Sequence, residues 1–224
     1  MNYFAHGRTF VDEPYVLAGT AVPDWLNVID RRMRIRSRHA APFVHDADPL
    51  TASIARGILR HHHDDDWFHQ TRAFAELNLE FAVRLRDALP GDEGFRPHFL
   101  GHILVELLLD AVLIAEEPAR LDRYYAALVE LDPAVVEAAL NRMSVRQTDK
   151  MGVFLPRFLR ERFLYEYGEA GKLLTRLNHV LTRVGLPPLP DSIRDLLDPM
   201  RDDVARRRFE LLAASPPAVQ ENAP

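Results

Sequence analysis

Two rows of imidazoles and carboxylates, spaced four residues apart in segments that otherwise read as helix, constrain this chain more than any other feature: His61/Asp65/His69 and His98/His102/Glu106/Asp110. Four residues advance a helix by roughly one turn, about 6 Å of rise, so such side chains stack on one face. Between the members of the second row lie Phe99, Leu100, Ile103, Leu104, Val105, Leu107, Leu108 and Leu109. That helix is apolar nearly all round, which predicts burial. An unpaired buried charge costs several kcal/mol, and a divalent cation shared among such groups is one of the few ways to offset it.

The ligand chemistry is narrowed by a single count. The 224 residues include no cysteine, which excludes disulfides, thiolate metal sites and cysteine nucleophiles together and leaves His, Asp and Glu. The 47 % hydrophobic and 27 % charged residues are the mixture of a globular domain with a sizeable core. A net charge of −5 gives no strong nucleic-acid signal. The start is not that of a secretory signal and no apolar run is read as a bilayer span, so a cytoplasmic location is the default expectation.

Periodicity predicts helix from about Tyr15, from Leu50 to Leu89, from Arg96 to Ala115, at Ala119 to Val129 and at Pro133 to Met143, where Asp132 reads as an N-cap. Pro90-Gly91-Asp92 breaks the second stretch. Phe154 to Val184 reads as one long helix, or two joined near Gly168 and Gly171. No strand pattern of useful length and no internal repeat is found, so the fold class is all-α, a multi-helix bundle. The expected organisation is a helical domain over 1–185, a Pro-rich linker and C-terminal helix over 186–214 capped by Asp191 or Ser192, and a disordered tail over 215–224.

Within Gly57 to His69 the inward register is open: His62 and Asp66 repeat the His61/Asp65 spacing one residue on. Whichever row faces inward with metal, the other can orient its imidazoles through carboxylate hydrogen bonds. The alternative is a solvated helix face, and for the His98 row it is core histidines satisfied by backbone carbonyls. Four polar residues in register on an apolar helix favour metal or catalytic use, with His102 and Glu106 the best pair. Arg31, Arg32, Arg34, Arg36 and Arg38 form a basic run, either a salt-bridged surface or a cationic rim for a phosphate-bearing or acidic partner. His39, His45 and Asp46 fall in a loop that could complete a metal shell, and His179 reads as structural.

The start Met1-Asn2-Tyr3-Phe4-Ala5-His6, the segment Ala18-Gly19-Thr20-Ala21-Val22-Pro23-Asp24, and Gly57-Ile58 followed by His61 and Asp65 resemble the acyl carrier protein phosphodiesterases. The resemblance runs through His98-Phe99-Leu100, about the first half of the chain. It implies an all-helical fold distantly like the HD-domain phosphohydrolases, a divalent cation such as manganese, and removal of phosphopantetheine from acyl carrier protein. Residue by residue it implies His6, Asp24, His61 and Asp65 as the metal-site core, with His98 where that family has a histidine. His69 stands where the family has an aspartate, and the His102, Glu106 and Asp110 row is an addition. In site pattern alone, Pro23-Asp24, Gly57/His61/Asp65/His69 and His102/Glu106 also resemble, in the same order, motifs of the zinc-dependent phospholipase C group and its related nucleases. Both relatives hydrolyse phosphoesters.

The sequence therefore predicts a metal-dependent phosphoesterase acting on a phosphodiester. His6, Asp24, His61, Asp65, His102 and Glu106 are the expected ligands of one or more Mn²⁺, Zn²⁺ or Fe²⁺ ions, and His69, His98 or Asp110 the proton donor. The arginine run would steer the phosphoester substrate, acyl carrier protein among the partners. Two other classes stay open: a non-catalytic, metal-stabilised helical protein, and a metal-free interaction module whose polar rows are satisfied by Arg and Tyr side chains such as Tyr124, Tyr125, Tyr165 and Tyr167.

Overall fold

Proline starts much of this fold. Five helices begin on one, which fixes φ where an N–H would have no partner in any case: α2 (Pro14–Ile29), α4 (Pro49–Phe68), α6 (Pro97–Glu116), α7 (Pro118–Val129) and α8 (Pro133–Met143). The computed structural model describes residues 1–89, 91 and 94–213. Within them the chain is 76 % helical and has no strand, so it is an all-α, multi-helix protein. The remaining helices are α1 (Tyr3–Gly7), α3 (Ser37–Ala40), α5 (Arg72–Ala88), α9 (Met151–Glu161), α10 (Ala170–Val184) and α11 (Arg194–Leu212).

Two glycines set the geometry that matters for function. Gly57 on α4 faces Gly19 on α2, and a Cβ on Gly57 would run into the Val16 carbonyl oxygen and lie 2.7 Å from the Gly19 Cα. The pair is therefore a close backbone crossing that only glycine permits, and α2 and α4 share the most extensive interface in the molecule. This crossing carries Asp24, within α2 just after Pro23, alongside His61 and Asp65. Gly101 does the same between α6 and α5, where a Cβ would lie 2.6 Å from the Asn78 carbonyl oxygen. The core between these pairs is filled by Trp25, Phe4, Ile54, Ile58, Phe68, Leu77, Phe81 and Leu108, all fully buried.

The stretch expected as helix from Leu50 to Leu89 is two helices. Thr71 interrupts it by accepting from the Phe74 N–H at 3.2 Å as the N-cap of α5, so α5 turns away from α4 and packs on α6. Pro90 and Asp92 of the expected break lie outside the described residues. Phe154 to Val184 is two helices, as one of the two expectations had it: α9 ends at Arg162, whose φ is +41°, and the junction runs over 162–169 and includes Gly168, with Gly171 inside α10. Asp132 caps α8 as expected, 2.8 Å from the Ala134 N–H. Neither Asp191 nor Ser192 caps α11, which follows a single 3₁₀ turn at Asp191–Ile193.

The expected linker and C-terminal helix, described over 186–213, pack on the same core. Leu197, Met200, Val204 and Leu211 are buried, and Arg207 pairs with Glu76 of α5 at 2.7 Å. The expected tail lies outside the described residues. Helix α6 is long and apolar enough, at a mean hydropathy of 1.8, to cross a membrane by length and composition, contrary to the sequence expectation. Here it is mostly buried among α5, α11 and α1.

Candidate metal centre

The short helix α1 is held in place from α6. Asp110, fully buried, accepts from the Phe4 N–H at 2.9 Å, the Ala5 N–H at 2.7 Å and the Asn2 side-chain amide at 3.0 Å, and Asn2 also donates to the Tyr167 hydroxyl at 3.2 Å. Burial pushes the Asp110 carboxyl up to about 7 against the pull of these backbone donors. Asp110 thus corrects an expectation: its oxygens are committed to α1, and it places His6 where a proton donor was expected.

His6 and His61 stack with ring centroids 4.2 Å apart and converge on one carboxylate. His6 Nε2 is 3.1 Å from Asp65 Oδ1, and His61 Nε2 is 3.2 Å from Asp65 Oδ2. The opposite ring nitrogens differ: His61 Nδ1 is 2.8 Å from the Thr20 carbonyl oxygen, whereas His6 Nδ1 only faces Asp64 Oδ2 at 3.6 Å. Neither nitrogen of the buried His6 makes a hydrogen bond of good geometry. Asp64 is in turn gripped by Arg60 at 2.7 Å. Burial raises the Asp64 carboxyl, but His6 and Arg60 outweigh it and hold it below the ordinary carboxylate range. Asp65 is likewise desolvated, yet His6, His61 and the Met1 ammonium pull it far lower. Burial opposes protonation of His61, and Asp65 and Asp24 overcome it and raise its basicity.

A second triad adjoins the first. His69, just past the end of α4, places Nε2 2.8 Å from Glu106 Oε1, and His102 reaches the same oxygen at 3.2 Å. The two rings lie 4.6 Å apart, and Phe74 packs against both. The Met1 ammonium joins the triads, 2.7 Å from Asp65 Oδ1 and 3.2 Å from Glu106 Oε1. Burial works against that charge, but Glu106 and Asp65 raise its pKa to about 10. Glu106 is pulled below its ordinary range by the ammonium, His102 and His69 despite its own burial.

The inward register is thus His61/Asp65. His62 is turned to the Ile35 carbonyl at 2.8 Å, Asp66 is exposed, and the carboxylate that orients a triad histidine is Asp64, which sequence reasoning passed over. Its signal was present in the Arg60/Asp64 spacing. Asp24 lies in the groove beside His61 and Asp65 but outside both triads, its carboxyl raised by burial against the pull of His61 and His6. His98 is exposed on the first turn of α6 and belongs to neither triad, a second correction to the expected proton donors. The remaining proton-donor candidate, His69, belongs to the second triad. Of the loop candidates, His39 accepts from the Arg36 N–H, Asp46 pairs with Arg142 at 2.6 Å, and His45 is exposed. His179 is exposed on α10.

Each triad offers ligand atoms within 4.8 Å of one another. Metal bonds of about 2.0–2.2 Å separate neighbouring donors by roughly 3 Å, which is the spacing of these nitrogen–carboxylate pairs. Imidazoles that present Nε2 while a carboxylate or carbonyl orients Nδ1 are the usual arrangement of histidine ligands. The donor set therefore fits a divalent ion, and its mix of nitrogen and oxygen does not choose among Mn²⁺, Zn²⁺ and Fe²⁺. No protein-family model matches the chain, and neither curated proteins nor solved structures provide a match.

Proposed function

We propose that this protein is a metal-dependent phosphohydrolase that cleaves a phosphodiester, with the two triads as two metal positions. The observation that carries the reading is the convergence of His6 and His61 on Asp65, His61 held from behind by the Thr20 carbonyl and the buried His6 left with no hydrogen bond of good geometry. A groove of about 400 Å³ opens onto this triad between α2, the loop before α3, and α4. Such a volume suits a small phosphorylated molecule or the end of a larger one.

A divalent ion held there supplies Lewis-acid activation of water and of a phosphoryl oxygen near neutral pH. The chain contributes the rest. His6, His61 and Asp65 would hold one position and His69, His102 and Glu106 the other, with the Thr20 carbonyl fixing the His61 ring and the Asp64 carboxylate facing His6 from behind. Asp24, which lines the groove outside the triads, would serve as the carboxyl that passes a proton to the leaving oxygen. The resemblance to acyl carrier protein phosphodiesterases makes the phosphopantetheine linkage one substrate to try.

The test is hydrolysis of bis(p-nitrophenyl) phosphate by full-length protein with Mn²⁺, Zn²⁺ or Fe²⁺. Metal-dependent turnover that falls at least a hundredfold in His61→Ala and in His102→Ala is expected; turnover unchanged in both variants would overturn the reading. One observation favours a second reading. The Met1 ammonium already neutralises Asp65 and Glu106, as it would in a purely structural polar cluster. In that case no ion would raise the melting temperature.

A further inference from the structure

The basic run does not act as one unit. Arg31 is tied to the Arg183 carbonyl across the molecule, and Arg38 is drawn to His39 at 3.2 Å. Arg34 and Arg36 differ. Both are exposed, neither is ion-paired among the described residues, and both line the groove that opens onto His61 and Asp65. Their positions in the chain alternate with Met33 and Ile35, which are buried at 1 % and 2 % exposure. With the intervening side chains buried, both Arg34 and Arg36 face the groove. The groove consequently has an acidic and imidazole wall, of Asp24, His61, Asp65 and Asp66, and a basic lip of two free guanidiniums.

Resting on the phosphohydrolase reading, we propose that Arg34 and Arg36 are specificity residues for a second anionic group on the substrate, so that the preferred substrate class is a small organic molecule carrying a phosphate besides the scissile phosphodiester. A singly charged phosphodiester would need only the metal-side wall. Two unpaired guanidiniums on the opposite lip are matched by a second phosphate, which accepts bidentate, charge-assisted hydrogen bonds from arginine. The groove's volume of about 400 Å³ suits a small molecule spanning the two walls. An acidic protein partner would instead draw on the whole outer face, Arg32 included.

The experiment uses full-length, Mn²⁺-loaded protein and non-hydrolysable probes: alkane-α,ω-bisphosphonates of two to five methylenes, and an alkyl monophosphonate, titrated calorimetrically with the metal content of each sample measured. The best bisphosphonate should bind at least tenfold tighter than the monophosphonate. In Arg34→Ala/Arg36→Ala that advantage should vanish while monophosphonate affinity, metal content and melting temperature stay as in the wild type. Metal-loaded protein showing no bisphosphonate advantage would overturn this inference alone. An advantage that survives in Arg34→Ala/Arg36→Ala but is lost in Arg31→Ala/Arg32→Ala would also overturn it, placing the anion on the outer face. Wild-type protein that takes up no metal would overturn the phosphohydrolase reading and this inference with it.

Discussion

Asp64 shows how much of a site is decided by residues that do not point into it. Its carboxylate is paired with Arg60 and faces the rear nitrogen of His6 at 3.6 Å, so its charge favours the ring orientation in which His6 Nε2 meets Asp65. Partners of this kind typically contribute a factor of 10–100 to metal affinity. Asp64→Asn should therefore weaken Mn²⁺ or Zn²⁺ binding by about tenfold or more, measured by competition with a chelator of known affinity, while the helical circular-dichroism signal is retained. An unchanged affinity would show that His6 is positioned without it. Asp110 acts one step further back, through the backbone of α1. Its effect is on where His6 stands, not on any proton in the groove.

At the scale of elements, the site depends on the crossing of α2 and α4. Gly57→Ala would press a methyl group into the Val16 carbonyl and the Gly19 backbone, neither of which is a flexible side chain. Overpacking of this kind costs about 1–3 kcal/mol and occasionally more. The variant should lose at least about 2 kcal/mol in urea unfolding, and metal affinity should fall with it because His61 and the Thr20 carbonyl that orients it come from opposite sides of the crossing. This part of the design was legible in sequence as Gly57-x-x-x-His61-x-x-x-Asp65. The helical periods of α6, α7 and α8 were equally plain, because their starts carry proline and, for α8, an aspartate cap. The break at Thr71 was hidden, since His69-Gln70-Thr71 continues the apolar and polar pattern on both sides and only the capping bond of Thr71 ends it. The fate of the second row was hidden for a different reason. Four residues turn a helix by slightly more than one full turn, so a row drifts around its face. His98 consequently ends exposed, His102 and Glu106 at the triad, and Asp110 sealed in the core.

For the whole molecule the buried charges make stability depend on pH in two opposite senses. Asp64, Asp65 and Glu106 are held below the ordinary carboxylate range, so near pH 4 the folded chain carries fewer of their protons than the unfolded chain. Their contribution is complete above their unfolded values, about 4, and is lost as pH falls toward the folded ones. Asp110 is raised, so it stabilises fully below its unfolded value, and that stability is lost as pH rises through about 7. Urea midpoints of the metal-free protein should thus drop steeply on the acid side. They should also decline as pH rises from about 4 to about 7, and this second slope should become shallower in Asp110→Asn. An identical slope in that variant would remove Asp110 as its source. Metal should lift the whole profile, since a ligand bound only by the folded form at a hundred times its Kd adds about 2.7 kcal/mol.

The central claim is that the two triads are two metal positions. Its most direct test is elemental analysis for Mn, Fe and Zn per chain of untagged full-length protein, beside His61→Ala/Asp65→Ala and His102→Ala/Glu106→Ala. The account predicts two ions per chain in the wild type, one in each double variant and none when the substitutions are combined. No metal in the wild type, after incubation with each ion in turn, would contradict it and leave the triads as a structural cluster held together by the Met1 ammonium.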